Sequence, residues 1–504
     1  AFINEEKDVK TVEDALKGAN DIIAEHIADD AEYRTWIRKA TWDHGKITSS
    51  AKKPEESSVF EMYYDFEEPI EKIAGYRILA INRGEKEGIL QVKIEPDMQK
   101  IASYLARKII TRKNPNTTKA LFAAIEDSYK RLIAPSIERD IRNELTENAS
   151  TEAIKVFGKN LAQLLMQPPI AGQVVLGWDP AFRTGCKLAV VDATGKVLDT
   201  VVIYPTAPQN KVEEAKKVVK ALIKKYGITL ISIGNGTASR ESEQIVVDML
   251  KEIKEPVQYV ITNEAGASVY SASKLATEEF PNFDVGQRSA TSIARRVQDP
   301  LAELVKIEPK AIGVGQYQHD MNQKQLTEAL GGVVEATVNK VGVDLNTASA
   351  SLLEYVSGVS KTVAKNIVAY REENGTFRNR KQLLKVAKLG PKAFEQCAGF
   401  LRVSGGDEPL DATGVHPETY KETGMLLKNL GYSTKELSKE GFKGISSKIT
   451  DYKKLSEELG IGEITLKDIV KELEKPGRDP REDLPKPILR TDVLEMKDLK
   501  PGMK

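Results

Sequence analysis

The chain has 504 residues, and its 74 Lys and Arg balance 74 Asp and Glu to a formal net charge of +0. Hydrophobic residues at 40% and charged ones at 29% exclude wholesale disorder and fibrous classes, and the length predicts about three or four domains. No run nears the ~20 apolar residues of a membrane span. Two cysteines, Cys186 and Cys397, build neither a disulfide framework nor a thiolate metal cage, so a reducing cytoplasm is expected; a monomer is the separate expectation for assembly. A neutral total makes any basic surface local.

The opening Ala1-Phe2-Ile3-Asn4 lacks an initiator methionine, and Met496-Lys-Asp-Leu-Lys-Pro-Gly-Met-Lys504 reads as the start of another domain. The chain is therefore expected to be the core of a longer protein. Residues 8–44 carry helical periodicity through Val12, Leu16, Ala19, Ile22 and Ile23, behind the capping signature Thr11-Val-Glu-Asp14. Further helices are predicted over about 97–166, so residues 1–170 read as a helical scaffold. Pro168-Pro169 ends it.

Short β-branched runs follow at 174–178, 187–191, 197–204, 230–233 and 257–261, with helical patterns at 212–226 and 241–251. Three strands, a helix, a strand, a helix and a strand predict a mixed sheet, hence an α/β domain over 171–306. Residues 307–343 connect to a small helical domain at 344–405. Between 344 and 403 stand ten Lys/Arg against five Asp/Glu, the clearest local departure from neutrality. A second helical block spans 406–475, and the proline-interrupted stretch 476–497 reads as an extended tether. The predicted fold class is multidomain and mainly α, an elongated helical scaffold carrying one α/β domain.

The sharpest binding signal lies in the basic segment. Leu352-Leu-Glu-Tyr-Val356, the turn Ser357-Gly-Val-Ser360 and residues 363–371 form one unit; Leu383-Leu-Lys-Val-Ala387, the turn Leu389-Gly-Pro391 and residues 393–401 form another. Each resembles the helix-hairpin-helix module, in which hairpin amides at a helix N-terminus face a nucleic-acid phosphate. Gly358 and Gly390 allow the sharp turn and close approach. Lys361, Lys365, Lys388 and Lys392 are candidate phosphate contacts, which position without reading sequence. The first hairpin departs from Gly-x-Gly by placing Ser360 second. A packing-only hairpin is the alternative.

In the α/β domain three acids stand out. Asp179 follows the first strand, Glu264 the fifth, and Asp299 lies in a helical stretch. Their placement resembles the RNase H fold, whose nucleases hold two Mg or Mn ions on such carboxylates. Each also has a structural use: Asp179 in an Asx-turn, Glu264 as a helix cap, Asp299 ending or beginning a helix beside Arg295 and Arg296. A structural or polynucleotide-binding role is expected rather than turnover, with no required cofactor. Gly234-Asn-Gly-Thr-Ala-Ser-Arg240 opens a helix, where glycines admit a phosphate and Arg240 supplies counter-charge.

Taken together, Asp179-Pro-Ala-Phe-Arg-Thr-Gly185, Ile233-Gly-Asn-Gly-Thr-Ala-Ser-Arg-Glu241, Glu264-Ala-Gly-Ala-Ser-Val-Tyr-Ser-Ala-Ser273, Gln298-Asp-Pro-Leu-Ala-Glu-Leu-Val-Lys306, Gly313-Val-Gly-Gln-Tyr-Gln-His-Asp320 and Val343-Asp-Leu-Asn-Thr-Ala-Ser349 look like the bacterial Tex family of transcription accessory proteins. The resemblance implies a YqgF-type RNase H-like domain, tandem helix-hairpin-helix domains, and an OB-fold RNA-binding domain beginning within 498–504. It implies binding of RNA or DNA without strong sequence preference. Two alternatives accompany it: a metal-dependent nuclease on Asp179, Glu264 and Asp299, and a docking platform for RNA polymerase or the ribosome. Ala181 departs from the glycine that family members usually carry after the Asp-Pro pair.

Overall fold

The computed structural model describes residues 2–315 and 317–491; the expected OB-fold start at 498–504 lies outside them. The chain divides into two compact units, residues 1–156 with 315–326, and residues 157–314 with 327–504. Among the described residues no helix is long and apolar enough to cross a membrane.

The first unit holds helices Val12–Asp29, Ala31–His44, Gly75–Lys86, Met98–Ile109 and Thr118–Asp127, and helix Ala134–Leu165 begins in it. Thr11 accepts from the Asp14 amide and Asp14 returns the bond, so the expected capping box is present. Of the residues that carry the helical periodicity, Val12, Leu16 and Ile22 are exposed. The unit also contains a three-stranded antiparallel sheet in which Lys46–Ala51 lies between Asp65–Pro69 and Leu90–Glu95. A purely helical scaffold did not anticipate it. Its signal is the strict alternation of Leu90-Gln-Val-Lys-Ile-Glu95, which buries every second side chain.

In the second unit, five strands form the expected mixed sheet: β1 (Val175–Asp179), β2 (Cys186–Val191), β3 (Val197–Ile203), β4 (Leu230–Gly234) and β5 (Gln258–Thr262), in the order β3-β2-β1-β4-β5. β2 runs antiparallel to β1 and β3, while β4 and β5 run parallel to β1. Strand alternation separates two cores. Leu176 and Trp178 pack with α1 (Val212–Tyr226) and α2 (Ser239–Leu250). Val175 faces α3 (Val285–Gln298) through Ala294 and Val297. Gly177 shares that second face, where a Cβ would overlap the Ala290 carbonyl of α3. A glycine at the middle of β1 thus lets the helix lie against the sheet.

After α4 (Pro300–Leu304) and α5 (Gln323–Val341) comes the hairpin domain: α6 (Ala350–Leu353), α7 (Lys361–Asn374), a 3-10 segment at Arg380–Lys385, and α8 (Pro391–Cys397). Its ends are tied by a parallel pairing of Val343–Asp344 with Leu401–Arg402. Helices Tyr420–Asn429, Tyr452–Leu459 and Glu463–Glu474 then share a separate apolar core.

The expected tether at 476–497 is not free over its described part. Arg481 is buried between Asp479 and Asp299, and Arg490 exchanges backbone hydrogen bonds with Tyr259 at the outer edge of β5. Pairing an otherwise open sheet edge explains why this proline-interrupted segment folds back.

Candidate functional site

The two hairpins repeat at an interval of thirty residues. Leu353, Val356 and Val359 in the first correspond to Leu383, Val386 and Leu389 in the second, and all six are buried. The backbone repeats as well. Val359 donates to Val356 at 3.0 Å and Leu389 to Val386 at 3.1 Å, while Ala364 donates to Ser360 and Phe394 to Gly390. The equivalent left-handed residues are Gly358 (φ +80°) and Lys388 (φ +64°). The equivalent helix caps are Ser360, whose hydroxyl accepts from the Val363 amide at 3.3 Å, and Gly390.

Neither hairpin therefore carries both glycines of Gly-x-Gly. The first keeps the left-handed glycine, the second keeps the capping glycine, and Lys388 occupies a conformation that costs a non-glycine residue about 1–2 kcal/mol. The reason for Gly358 is also packing, since a Cβ there would lie 2.7 Å from Gln396 Cβ of α8. Reciprocally, Asn366 of α7 donates to the Ala387 carbonyl at 2.7 Å. Asn366 and Gln396 are equivalent positions, so each copy's helix rests on the other's hairpin.

Outward from this packing stand Gly358, Ser360, Lys361, Lys365, Lys388, Gly390 and Lys392, all exposed. None of these four lysines joins an ion pair among the described residues. The arginines of the segment behave differently. Arg380 is 1% exposed; its guanidinium donates to the carbonyls of Leu401 and Val415 at 2.7 Å each, to that of Thr413, and to Tyr420 Oη. Its amide donates to buried Asp411. Arg402 donates to Gly477 O, and Arg378 pairs with Asp407. The basic surface is accordingly smaller than the residue count suggests, and it is made of lysine.

The three acids do not meet. Asp179 ends β1, directly across from Lys187 on β2. Burial raises its pKa, against the opposing pull of a Ser289 hydroxyl hydrogen bond and the Lys187 charge. Glu264 is raised first by burial and then by the Asp179 charge, and a Gly236 amide hydrogen bond and Arg296 pull it back. These two carboxylates thus form a repelling pair. A Cβ at either Gly234 or Gly236 would overlap the Glu264 carboxylate. The glycines at and just after the end of β4 make room for an acid of the protein itself rather than for an incoming phosphate. Arg240 lies just beyond, exposed in the first turn of α2.

Asp299 sits at the far end of α3 from Ser289, ten residues along, or about 15 Å. It ends α3 and begins α4, accepting from the Ala302 amide at 3.2 Å, and pairs with Arg481 at 2.9 Å. Both structural uses expected of it are realised, while Arg481 rather than Arg295 or Arg296 neutralises it. It lines a cleft of about 1050 Å³ together with Lys306, Arg402 and Arg481, away from the acid pair. Among the described residues no group of three or more His, Cys, Asp or Glu could hold a metal ion. The donor set does not fit the two-ion centre that the nuclease alternative needs on Asp179, Glu264 and Asp299.

Two residues support the pair: Ser289, not singled out from sequence, and Arg296, read there as a neighbour of Asp299. Ser289, buried on α3, occupies the place facing Asp179. Arg296, two turns further along the same helix, donates to the carbonyls of Asn263 at 2.9 Å and Ala265 at 2.8 Å, clamping the backbone on either side of Glu264. Burial lowers its pKa to about 10. The seven-residue spacing placed both on one helix face, but only the fold shows that face turned to the acids.

Comparison with known proteins matches residues 1–157 to a Tex central region-like family, 173–298 to the Tex protein YqgF-like domain, 338–402 to a helix-hairpin-helix motif and 408–481 to an HHH domain. The whole chain is 57% identical to the uncharacterized protein YdcI of Bacillus subtilis, covering 70% of that protein. It is 45% identical to the transcriptional accessory protein Tex of Neisseria gonorrhoeae, covering 66% of it. Over 98% of its length it is 37% identical to the human S1 RNA-binding domain-containing protein 1, covering 57% of that chain. The chain thus spans about two thirds of its bacterial relatives' length. Identity of this order along its entire length, with the matched domains in one order, means that the chain belongs to the Tex family.

Proposed function

We propose that this chain is a nucleic-acid-binding transcription accessory factor that grips the phosphate backbone through its paired hairpins. The observation that carries the reading is the thirty-residue repeat: two exposed turns, each at a helix N-terminus, ringed by lysines without acidic partners. Helix N-termini and lysines attract phosphate without reading bases, so binding has little sequence preference. The relatives' printed names, a transcriptional accessory protein and an S1 RNA-binding domain-containing protein, support the same reading.

Affinity falls with salt, with a log–log slope near −0.9 for each phosphate neutralised on duplex or about −0.7 on single strands. Lys361→Glu combined with Lys392→Glu weakens binding across all sequences and flattens that slope by about two contacts. Fluorescence anisotropy over a salt series reads both quantities. Unchanged affinity at low salt in the folded variant overturns the reading.

A further inference from the structure

β1, β3, β4 and β5 all finish at one end of the sheet, and β2 begins there. Around the recessed acid pair, that end carries a set of side chains that the hairpins do not use and of which only Lys187 acts on the carboxylates. Phe182 and Arg183 lie in the β1–β2 turn, Lys187 near the start of β2, Tyr204 directly after β3, and Arg240 after β4.

Phe182 and Tyr204 are each 37% exposed, although both belong to hydrogen-bonded turns. Thr206 donates to the Ala181 carbonyl at 2.6 Å, Gln209 to that of Arg183 at 2.9 Å, and the Lys211 amide to that of Tyr204 at 2.8 Å. A Cβ on Gly185 would lie 2.7 Å from the Tyr204 ring, so the ring lies against a bare backbone. Arg183 and Arg240 are exposed and join no ion pair among the described residues. From β3 to β4 the track covers three strand spacings, about 14 Å.

Held aromatic faces with unpaired cations beside them match the chemistry that binds single strands: bases stack on rings while the backbone follows positive charge. We infer that this end of the sheet is a second nucleic-acid contact, specific for single strands, in which Phe182 and Tyr204 stack bases and Arg183, Lys187 and Arg240 meet phosphates. Ribose carries 2′-hydroxyls and deoxyribose does not, so the two sugars tell RNA from DNA at this rim.

The test uses the full chain with labelled oligouridine, labelled oligothymidine and a labelled duplex. Phe182→Ala with Tyr204→Ala lowers affinity for the single strands by about 30-fold or more and leaves the duplex unaffected, while Phe182→Trp with Tyr204 intact retains binding. A larger loss with oligouridine than with oligothymidine marks RNA as the ligand; equal losses mark single strands of either sugar. Unchanged single-strand affinity, or equal loss on the duplex, overturns the inference. Ultraviolet crosslinking of the wild-type chain is independent of the variant's folding: adducts at Phe182 or Tyr204 support the site, and adducts confined to other segments overturn it. Lys361→Glu with Lys392→Glu separates the two readings, because its failure to weaken duplex binding removes the hairpins without touching this rim.

Discussion

The hairpin domain and the α/β domain use glycine and charge in opposite directions. In the hairpins, glycine and serine open the backbone toward solvent, and lysines stand around them without acidic partners. Beside β4, Gly234 and Gly236 open a space inward, and the protein's own Glu264 fills it. The arginines divide similarly. Arg380 and Arg296 are buried, their flat guanidinium groups spread over several backbone carbonyls, whereas the exposed lysines carry mobile point charge. A glycine-rich turn with a nearby cation therefore does not identify an anion site. What surrounds the turn decides.

That contrast can be broken from either side. The largest effect falls on the buried arginine: Arg380→Ala strands the carbonyls of Leu401, Thr413 and Val415 and removes a donor from Tyr420 Oη, the hydroxyl that donates to buried Asp411. Thermal or denaturant unfolding is expected to show a loss of about 3–5 kcal/mol. A loss below that of an ordinary surface substitution contradicts the assigned role.

Gly236→Ala drives a methyl group into the Glu264 carboxylate and costs about 1–3 kcal/mol. Glu264→Ala in the same chain recovers much of that cost, so a double-mutant cycle reads coupling between the two. Additive losses place the collision elsewhere.

Lys388→Gly sharpens the comparison because stability and binding move oppositely. Releasing the left-handed lysine stabilises the fold by up to about 1 kcal/mol, while the missing cation weakens nucleic-acid binding and lowers the salt slope by about one contact. Parallel changes in both measurements remove the argument that Lys388 is held there for its charge.

The smallest effect concerns the acid pair. Asp179 and Glu264 hold protons in the fold at a pH where the unfolded chain has released them, so they contribute instability as pH rises through and above the ordinary carboxylate range. Asp179→Asn keeps the side chain's shape and removes the repulsion. Its melting temperature is expected to exceed the wild type's at neutral pH, with the difference shrinking as pH falls toward about 4. A pH-independent difference assigns the effect to something other than charge.

Much of this protein was legible in its residues. Alternation and β-branched runs gave all five strands of the large sheet, and the hairpin turns stood out through glycine, serine and lysine in a basic segment. The small sheet at 46–95 was readable in Leu90-Gln-Val-Lys-Ile-Glu95 and was passed over amid helical patterns. Asp299 misled because an acid near a strand-rich segment looks equally placed on either end of a helix; only the antiparallel run of α3 against β1 separates it from Asp179. Proline spacing suggested a free tether at 476–497, since composition reports stiffness but not the partner that Tyr259 and Asp299 provide.

Local rules, then, determined what each segment is: periodicity sets helix or strand, and turn chemistry sets the hairpins, because both act between near neighbours in the chain. Which charges remain available was decided by tertiary structure alone. Whether an arginine meets solvent or three carbonyls, and whether a glycine admits a ligand or a glutamate, depends on residues distant in sequence brought within hydrogen-bond reach.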